Sequence, residues 1–265
     1  MNKILLGVVL LLMVSCSPYQ RLLKSNDYEL KYTKAMEYYE AKQYIKANTL
    51  FDELVNIFRG SEKGEKVTFT YVESLCKIKD YVMAQYYYQQ FVKDFPGSEL
   101  TEDAMFKNGY CYYLLSPKPR LDQDDTYNAL NEFSTYLSYY PNGAKVGEVN
   151  RLMKELRDKL VYKSYLNAKL YYDLGDYMGA NNYLSAVIAA QNSLKEFPDT
   201  KYREELSFLI LDAKYIQAIK SVPAKKADRL RDCLDEYYSF VNEFPQSVYS
   251  KKVNKIFAET SALIN

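Results

Sequence analysis

Residues 81–96 read YVMAQYYYQQFVKDFP. Tyr81, Ala84, Tyr88 and Phe91 stand three or four positions apart, the spacing that places side chains on one face of an α-helix. The small Ala84 within that aromatic stripe lets a neighbouring helix approach closely. Phe95-Pro96 then ends the segment, because proline cannot continue a helix, and the small polar residue that comes after it, in Gly97-Ser98, suits the cap of a next one.

Both halves of this pattern recur. The stop returns as Tyr140-Pro141-Asn142-Gly143, Phe197-Pro198-Asp199-Thr200 and Phe244-Pro245-Gln246-Ser247, with a degenerate copy at Phe58-Arg59-Gly60-Ser61. The stripe returns as Tyr44, Ala47, Phe51, Leu54 and as Tyr177, Ala180, Leu184, Val187. Altered versions run Thr126, Ala129, Phe133, Tyr136 and Leu230, Cys233, Tyr237, Phe240. A partner helix shows twelve residues upstream, where Ala35 precedes Ala47, Val72 precedes Ala84 and Ala168 precedes Ala180. In the third unit Gly109 stands twenty residues before Ala129, and the surplus is the loop Ser116-Pro117-Lys118-Pro119-Arg120-Leu121-Asp122.

These helix pairs resemble tetratricopeptide repeats. The steps between small residues Ala47, Ala84, Ala129, Ala180 and Cys233 are 37, 45, 51 and 53, all longer than the standard repeat of about 34. The expected fold is therefore all-α, a right-handed superhelical solenoid of about five irregular tetratricopeptide-like helix-turn-helix repeats. An unrelated helical bundle is the alternative.

Composition narrows the chemistry. The 265 residues include 29 tyrosines and 12 phenylalanines but no histidine and no tryptophan. Without histidine there is no Ser-His or Cys-His nucleophile pair and no His-ligated zinc. Lysine plus arginine number 35 against 34 acidic residues, so nothing in the overall charge draws the chain to nucleic acid. A core with this much tyrosine must find partners or water for many hydroxyls.

The N-terminus reads as an address. Met1-Asn2-Lys3 is a basic start, and Ile4 to Val14 is an apolar run too short to span a bilayer of about 30 Å hydrocarbon thickness. It ends Met13-Val14-Ser15-Cys16, which resembles the bacterial lipoprotein box. Residues 1–15 are thus expected to be a signal peptide, Cys16 the lipidated residue and 16–26 a tether. An ordinary secretory signal, or an N-terminal anchor that happens to contain a cysteine, is the alternative. Ser17 after the cysteine, by resemblance to the sorting rule of enterobacterial lipoproteins, points to the outer membrane, with the body in the periplasm. Cys76, Cys111 and Cys233 remain, an odd number with no CxxC spacing. They read as buried small apolar thiols, with a disulfide between two of them as the alternative.

Residues that could do chemistry are few. Asp122, Asp124 and Asp125 lack the glycine and the distal glutamate of an EF-hand, and suit a helix start better. Glu73-Ser74 resembles the catalytic pair of lytic transglycosylases, but Leu75-Cys76-Lys77 lacks the rest of their signature. No catalytic residue, metal site or cofactor is expected.

An aromatic ladder is the stronger signal. With Ala35, Val72, Gly109 and Ala168 taken as equivalent, the position three residues earlier is Tyr32, Phe69, Phe106 and Tyr165. The position four later is Tyr39, Cys76, Tyr113 and Tyr172. In tetratricopeptide proteins these positions face the concave groove. The resemblance implies a peptide-binding groove floored by Tyr32, Tyr39, Phe69, Phe106, Tyr110 and Tyr113. Packing of the rings between adjacent helices is the alternative.

A lipoprotein box leading into five long repeats, with Leu121-Asp122-Gln123-Asp124-Asp125 ahead of Ala129, Phe133 and Tyr140-Pro141-Asn142, resembles the BamD (YfiO) family. Phe197-Pro198-Asp199-Thr200 resembles that family's Tyr-Pro-Asp-Thr, whereas Arg59 stands where proline is expected. The resemblance implies a non-enzymatic scaffold of outer-membrane β-barrel assembly, held on the membrane through its lipid anchor. Repeats 1–3 (27–143) would receive unfolded outer-membrane proteins. Repeats 4–5 (144–265) would dock a POTRA-containing barrel subunit, with other assembly lipoproteins as further partners. A periplasmic lipoprotein coordinating cell-wall synthesis or envelope constriction is the alternative.

Overall fold

The computed structural model describes residues 18–264, so the signal segment and the expected lipidation at Cys16 lie outside the described residues. Within that range the chain forms twelve α-helices and one short 3-10 turn. They are α1 (Pro18–Leu23), α2 (Tyr28–Glu40), α3 (Tyr44–Ile57), α4 (Gly64–Lys77), α5 (Tyr81–Asp94) and α6 (Thr101–Leu115), then α7 (Asp124–Tyr139), α8 (Val146–Leu174), α9 (Asn182–Glu196), α10 (Arg203–Ile219), α11 (Pro223–Glu243) and α12 (Ser250–Ile264). From α2 to α11 they fall into five helix pairs, with α12 packed after the last. The chain divides into two compact units, residues 18–116 with 124–153, and residues 117–123 with 154–264. No helix among the described residues is long and apolar enough to cross a membrane.

The five expected stops share one hydrogen-bond relay. Ser98 N–H donates to Phe95 C=O and Thr101 N–H to Ser98 C=O, both at 3.1 Å, which turns the chain directly into α6. The same two bonds recur at Phe58/Ser61/Gly64, Tyr140/Gly143/Val146, Phe197/Thr200/Arg203 and Phe244/Ser247/Ser250. The copy at Phe58 works with Arg59 in place of proline. The relay therefore depends on the aromatic cap and the small residue three positions later, and proline only reinforces it.

Within a pair the turn is tighter. Lys42 and Lys79 take left-handed backbone, φ 59° and 65°, where α2 and α4 end. Lys79 N–H then bonds to Cys76 C=O and Asp80 N–H to Leu75 C=O, satisfying carbonyls that a helix end leaves open. The Asp80 side chain accepts from Met83 N–H and starts α5, as Asp27 does for α2 from Leu30 N–H.

The small residues sit where helices cross. Ala47, Ala84, Ala129 and Cys233 have no exposed surface. The fourth unit departs from expectation. Tyr177, Ala180 and Leu184 are exposed, and Tyr177–Gly179 is only a 3-10 turn; the buried residues of α9 are Ala186, Val187, Ala190 and Ser193. The stripe is thus Tyr183, Ala186, Ala190 and Ser193, six residues later than the spacing to Ala168 suggested. In every unit the small residue lies twelve positions before the proline or its substitute, from Ala47 to Arg59 through Cys233 to Pro245.

The first helices share a register in all five pairs. Tyr32/Ala35/Tyr39, Phe69/Val72/Cys76, Phe106/Gly109/Tyr113 and Tyr165/Ala168/Tyr172 are joined by Phe208/Leu211/Tyr215 in α10. The middle residue is buried in each. At Gly109 the neighbouring helix comes so close that a Cβ there would meet Phe133 ring carbons at 2.7 and 2.8 Å.

Tyrosine hydroxyls tie the helices together through carboxylates. Tyr71 donates to Asp52, Tyr88 to Glu73 and Tyr136 to Glu102 in the first unit. Tyr165 donates to Glu205, Tyr172 to Asp212 and Tyr215 to Glu259 in the second. Tyr88 and Tyr136 have no exposed surface, so the bond to a carboxylate satisfies the one polar group that their burial would orphan. Six of the 29 tyrosines serve the packing in this way.

Candidate functional site

Six ring positions were expected to line a groove, and the structure separates them into two kinds. Tyr32 and Phe69 are half-buried and Phe106 is buried, and each of the three packs on another ring and carries a lysine. Tyr32 lies edge-on to Phe58, with ring centres 5.9 Å apart, and the Lys63 ammonium sits 5.5 Å from its ring centre. Phe69 packs on Phe91 at 5.3 Å and carries Lys107 at 5.1 Å. Phe106 is only 5% exposed and carries Lys145 at 5.2 Å. Each such lysine comes from further along the chain and covers the ring by a cation–π contact worth about 0.5–1 kcal/mol.

Tyr39, Tyr110 and Tyr113 are half-buried, as Tyr32 and Phe69 are. Phe106, Tyr110 and Tyr113 form a column along α6, with successive centres 5.8 and 5.7 Å apart and planes 18° and 15° from parallel. Phe106 is the buried end of the column and supports the other two. Tyr39 stands edge-on to Tyr44 at 5.5 Å, and burial, with the charge of Glu73 adding, pushes its hydroxyl up to about 12. The ring contacts thus join Phe106, Tyr110 and Tyr113, while Tyr32 is tied to Phe58 and Lys63.

A polar cluster lies beside these rings that sequence reasoning missed. Lys107 Nζ is 2.7 Å from Glu73 Oε1 and 2.7 Å from Asp103 Oδ2. Tyr88 donates to the same Glu73 oxygen. Burial works against the Lys107 charge, but the bonds to Asp103 and Glu73 outweigh it and raise its pKa. With both donors on one oxygen, Glu73 serves to join α4, α5 and α6. The pair spans 34 residues, a separation at which no local periodicity reveals it.

The second unit repeats the device. Asp212, one residue after Leu211 as Glu73 is one after Val72, accepts from Lys252 Nζ at 2.5 Å and from Tyr172. Lys252 also lies 5.0 Å over Phe208, which stacks parallel on Tyr249 at 4.2 Å and stands edge-on to Phe240 at 6.3 Å. Ring, carboxylate and a lysine from further along the chain recur as Phe69/Glu73/Lys107 and Phe208/Asp212/Lys252. The fourth repeat uses a ring instead, Tyr202 stacking on Tyr165 at 4.4 Å.

Asp124 and Asp125 occupy the first turn of α7, where carboxylates favour the helix dipole. The loop before it folds around Gln123, whose amide donates to the carbonyls of Lys118 and Leu121, and Lys163 Nζ bonds Leu121 C=O at 2.6 Å. Among the described residues no group of three or more acidic or cysteine side chains is placed to hold a metal ion.

The chain is 28% identical over 258 residues to a protein of Aquifex aeolicus (strain VF5) named "Putative outer membrane protein assembly factor BamD", covering 96% of this chain and 79% of that protein. Among solved structures it is similar to the TPR2AB-domain:pHSP90-complex of yeast Sti1, with TM-score 0.41 and 12% identity, covering 88% of this chain and 98% of that chain. That score is too low to add to the helix pairing described above. The family model described as "Outer membrane lipoprotein", YfiO, matches residues 25–227, from before α2 into α11. With more than half its length matched, and with the paired helices that its repeats demand, this chain belongs to the YfiO family of outer membrane lipoproteins.

Proposed function

We propose that this protein is a non-enzymatic scaffold of outer-membrane protein assembly, held on the periplasmic face of the outer membrane by lipid on Cys16. Its first three repeats receive extended segments of unfolded outer-membrane proteins, and repeats 4–5 dock a POTRA-containing barrel subunit, with other assembly lipoproteins as neighbours. The observation that carries the reading is the pair of half-buried rings Tyr110 and Tyr113 on one helix of a family member, stacked in a column on the buried Phe106. An extended strand loses chain entropy on docking, and preordered rings with few torsions keep the receiving side's loss small.

Two features of the chain agree with this role. The Aquifex relative bears an assembly-factor name, and the balanced charge of the chain gives no overall pull toward nucleic acid or another highly charged partner. Purifying the full chain with its native neighbours tests the reading. A barrel protein with POTRA domains should come with it; peptidoglycan synthases in its place would contradict the proposal.

A further inference from the structure

Cys76 and Cys111 belong to neighbouring first helices, α4 and α6, and their Sγ atoms are 3.8 Å apart. They lie one turn beyond the Glu73–Lys107 ion pair, three residues after Glu73 and four after Lys107, so the ion pair and the thiol pair form successive rungs between the same two helices. Both thiols are free in the structure. Cys76 is half-buried and Cys111 is 1% exposed, so Cys76 is the more accessible residue of the two. Cys76 Sγ also lies 3.6 Å from the Tyr88 hydroxyl.

From this geometry we infer that Cys76 and Cys111 are a redox-active dithiol, Cys76 the attacking thiol and Cys111 the resolving one, which closes to a disulfide stapling α4 to α6. The co-reactant is a disulfide oxidant, either a small-molecule disulfide or an oxidised dithiol protein. Cys76 gives up its proton and its thiolate attacks one oxidant sulfur; that S–S bond breaks, a mixed disulfide forms on Cys76 and one thiolate leaves. Cys111 then loses its proton and attacks the Cys76 sulfur, expelling the second thiolate. Two electrons pass to the oxidant, whose two sulfurs take up the two protons, and the protein gains one S–S bond.

The surroundings divide the roles in the same way. The hydrogen bond from Cys111 holds the Cys76 thiol below the usual cysteine range against the opposing effect of burial and of the Glu73 charge, with the Lys107 ammonium helping to lower it. The same bond, together with burial, pushes Cys111 up. A disulfide has S–S about 2.05 Å, so closure brings the sulfurs together by roughly 2 Å, a shift that side-chain rotation and slight helix movement supply. Cys76 holds the same register position as Tyr39 and Tyr113, so closure fixes the spacing of repeats two and three beneath the aromatic face.

The test uses the full chain in detergent, equilibrated with oxidised glutathione, then unfolded, alkylated and mapped by mass spectrometry. The expected result is loss of two alkylatable thiols and a linked peptide pair carrying Cys76 and Cys111, while Cys233 still reacts. In Cys111→Ser the reaction should stop at a glutathione adduct on Cys76. Reaction of Cys76, Cys111 and Cys233 alike with the alkylating agent would overturn the inference, as would a disulfide joining any other pair. The mapping on the unmodified sequence decides the matter even if the variant does not fold.

Discussion

Lys107 reaches from α6 to place its ammonium 2.7 Å from Glu73 of α4, and the same ammonium lies over the ring of Phe69. One side chain therefore closes the contact between two repeats by charge and by ring packing together. Both members are mostly shielded, with side-chain exposures of 27% and 18%. Lys107→Met should destabilise the protein by about 1–3 kcal/mol, because it strands a half-buried carboxylate that keeps only the Tyr88 bond. Replacing Lys163, which bonds only a loop carbonyl, should cost less. Urea unfolding midpoints compare the two.

Close packing makes a second prediction at Gly109. Alanine gains about 1 kcal/mol over glycine within a helix, but its Cβ would sit 2.7 Å from the buried Phe133 ring, and overpacking of that kind costs about 1–3 kcal/mol. Gly109→Ala should lower the melting temperature although it improves helix propensity, and Gly147→Ala, with open space at its Cβ, should not.

Ala186 and Ala180 give a third comparison. Leucine at Ala186 has no room between crossing helices and should destabilise by about 1–3 kcal/mol, whereas leucine at the exposed Ala180 should be nearly neutral. The opposite order, read by thermal unfolding, would place Ala180 and not Ala186 at the helix crossing.

That register shows what could and could not be read from the sequence. Helix pairs, stops and the degenerate turn at Phe58 were legible because each is written in local spacing. The fourth stripe was misplaced because Tyr177-x-x-Ala180 and Tyr183-x-x-Ala186 are near copies, and the distance to the preceding helix favoured the wrong one. The constant twelve residues to the proline distinguishes them. Within the candidate site the ladder positions were visible, but not that lysines cover Tyr32, Phe69 and Phe106. Those lysines stand 31 to 39 residues downstream, a separation set by loop lengths and not by any repeat period.

Alkali should unfold this protein through its tyrosines. Burial, assisted by carboxylate partners, pushes Tyr136 and Tyr215 up to about 12, and Tyr71, Tyr88, Tyr165 and Tyr172 higher still. A folded-state pKa above the unfolded value of 10.0 means that the stabilisation is complete below pH 10 and is lost as pH rises toward and through the folded values. Stability should fall progressively above pH 10, and tyrosinate absorbance should appear together with loss of helix. Ionisation of all 29 tyrosines near pH 10 with helix intact would contradict this.

Binding of an extended peptide ending in an aromatic residue, patterned on a β-barrel strand, tests the central claim most directly. Titrated against the full chain in detergent, such a peptide should bind, and Tyr39→Ala with Tyr113→Ala should weaken it by about tenfold or more, as loss of a ring hot spot does. Tyr238→Ala, an exposed ring of the second unit, should leave affinity unchanged. If the double variant keeps its helix content and its unfolding midpoint and still binds the peptide as tightly as the parent, the aromatic face of the first three repeats is not the receiving surface.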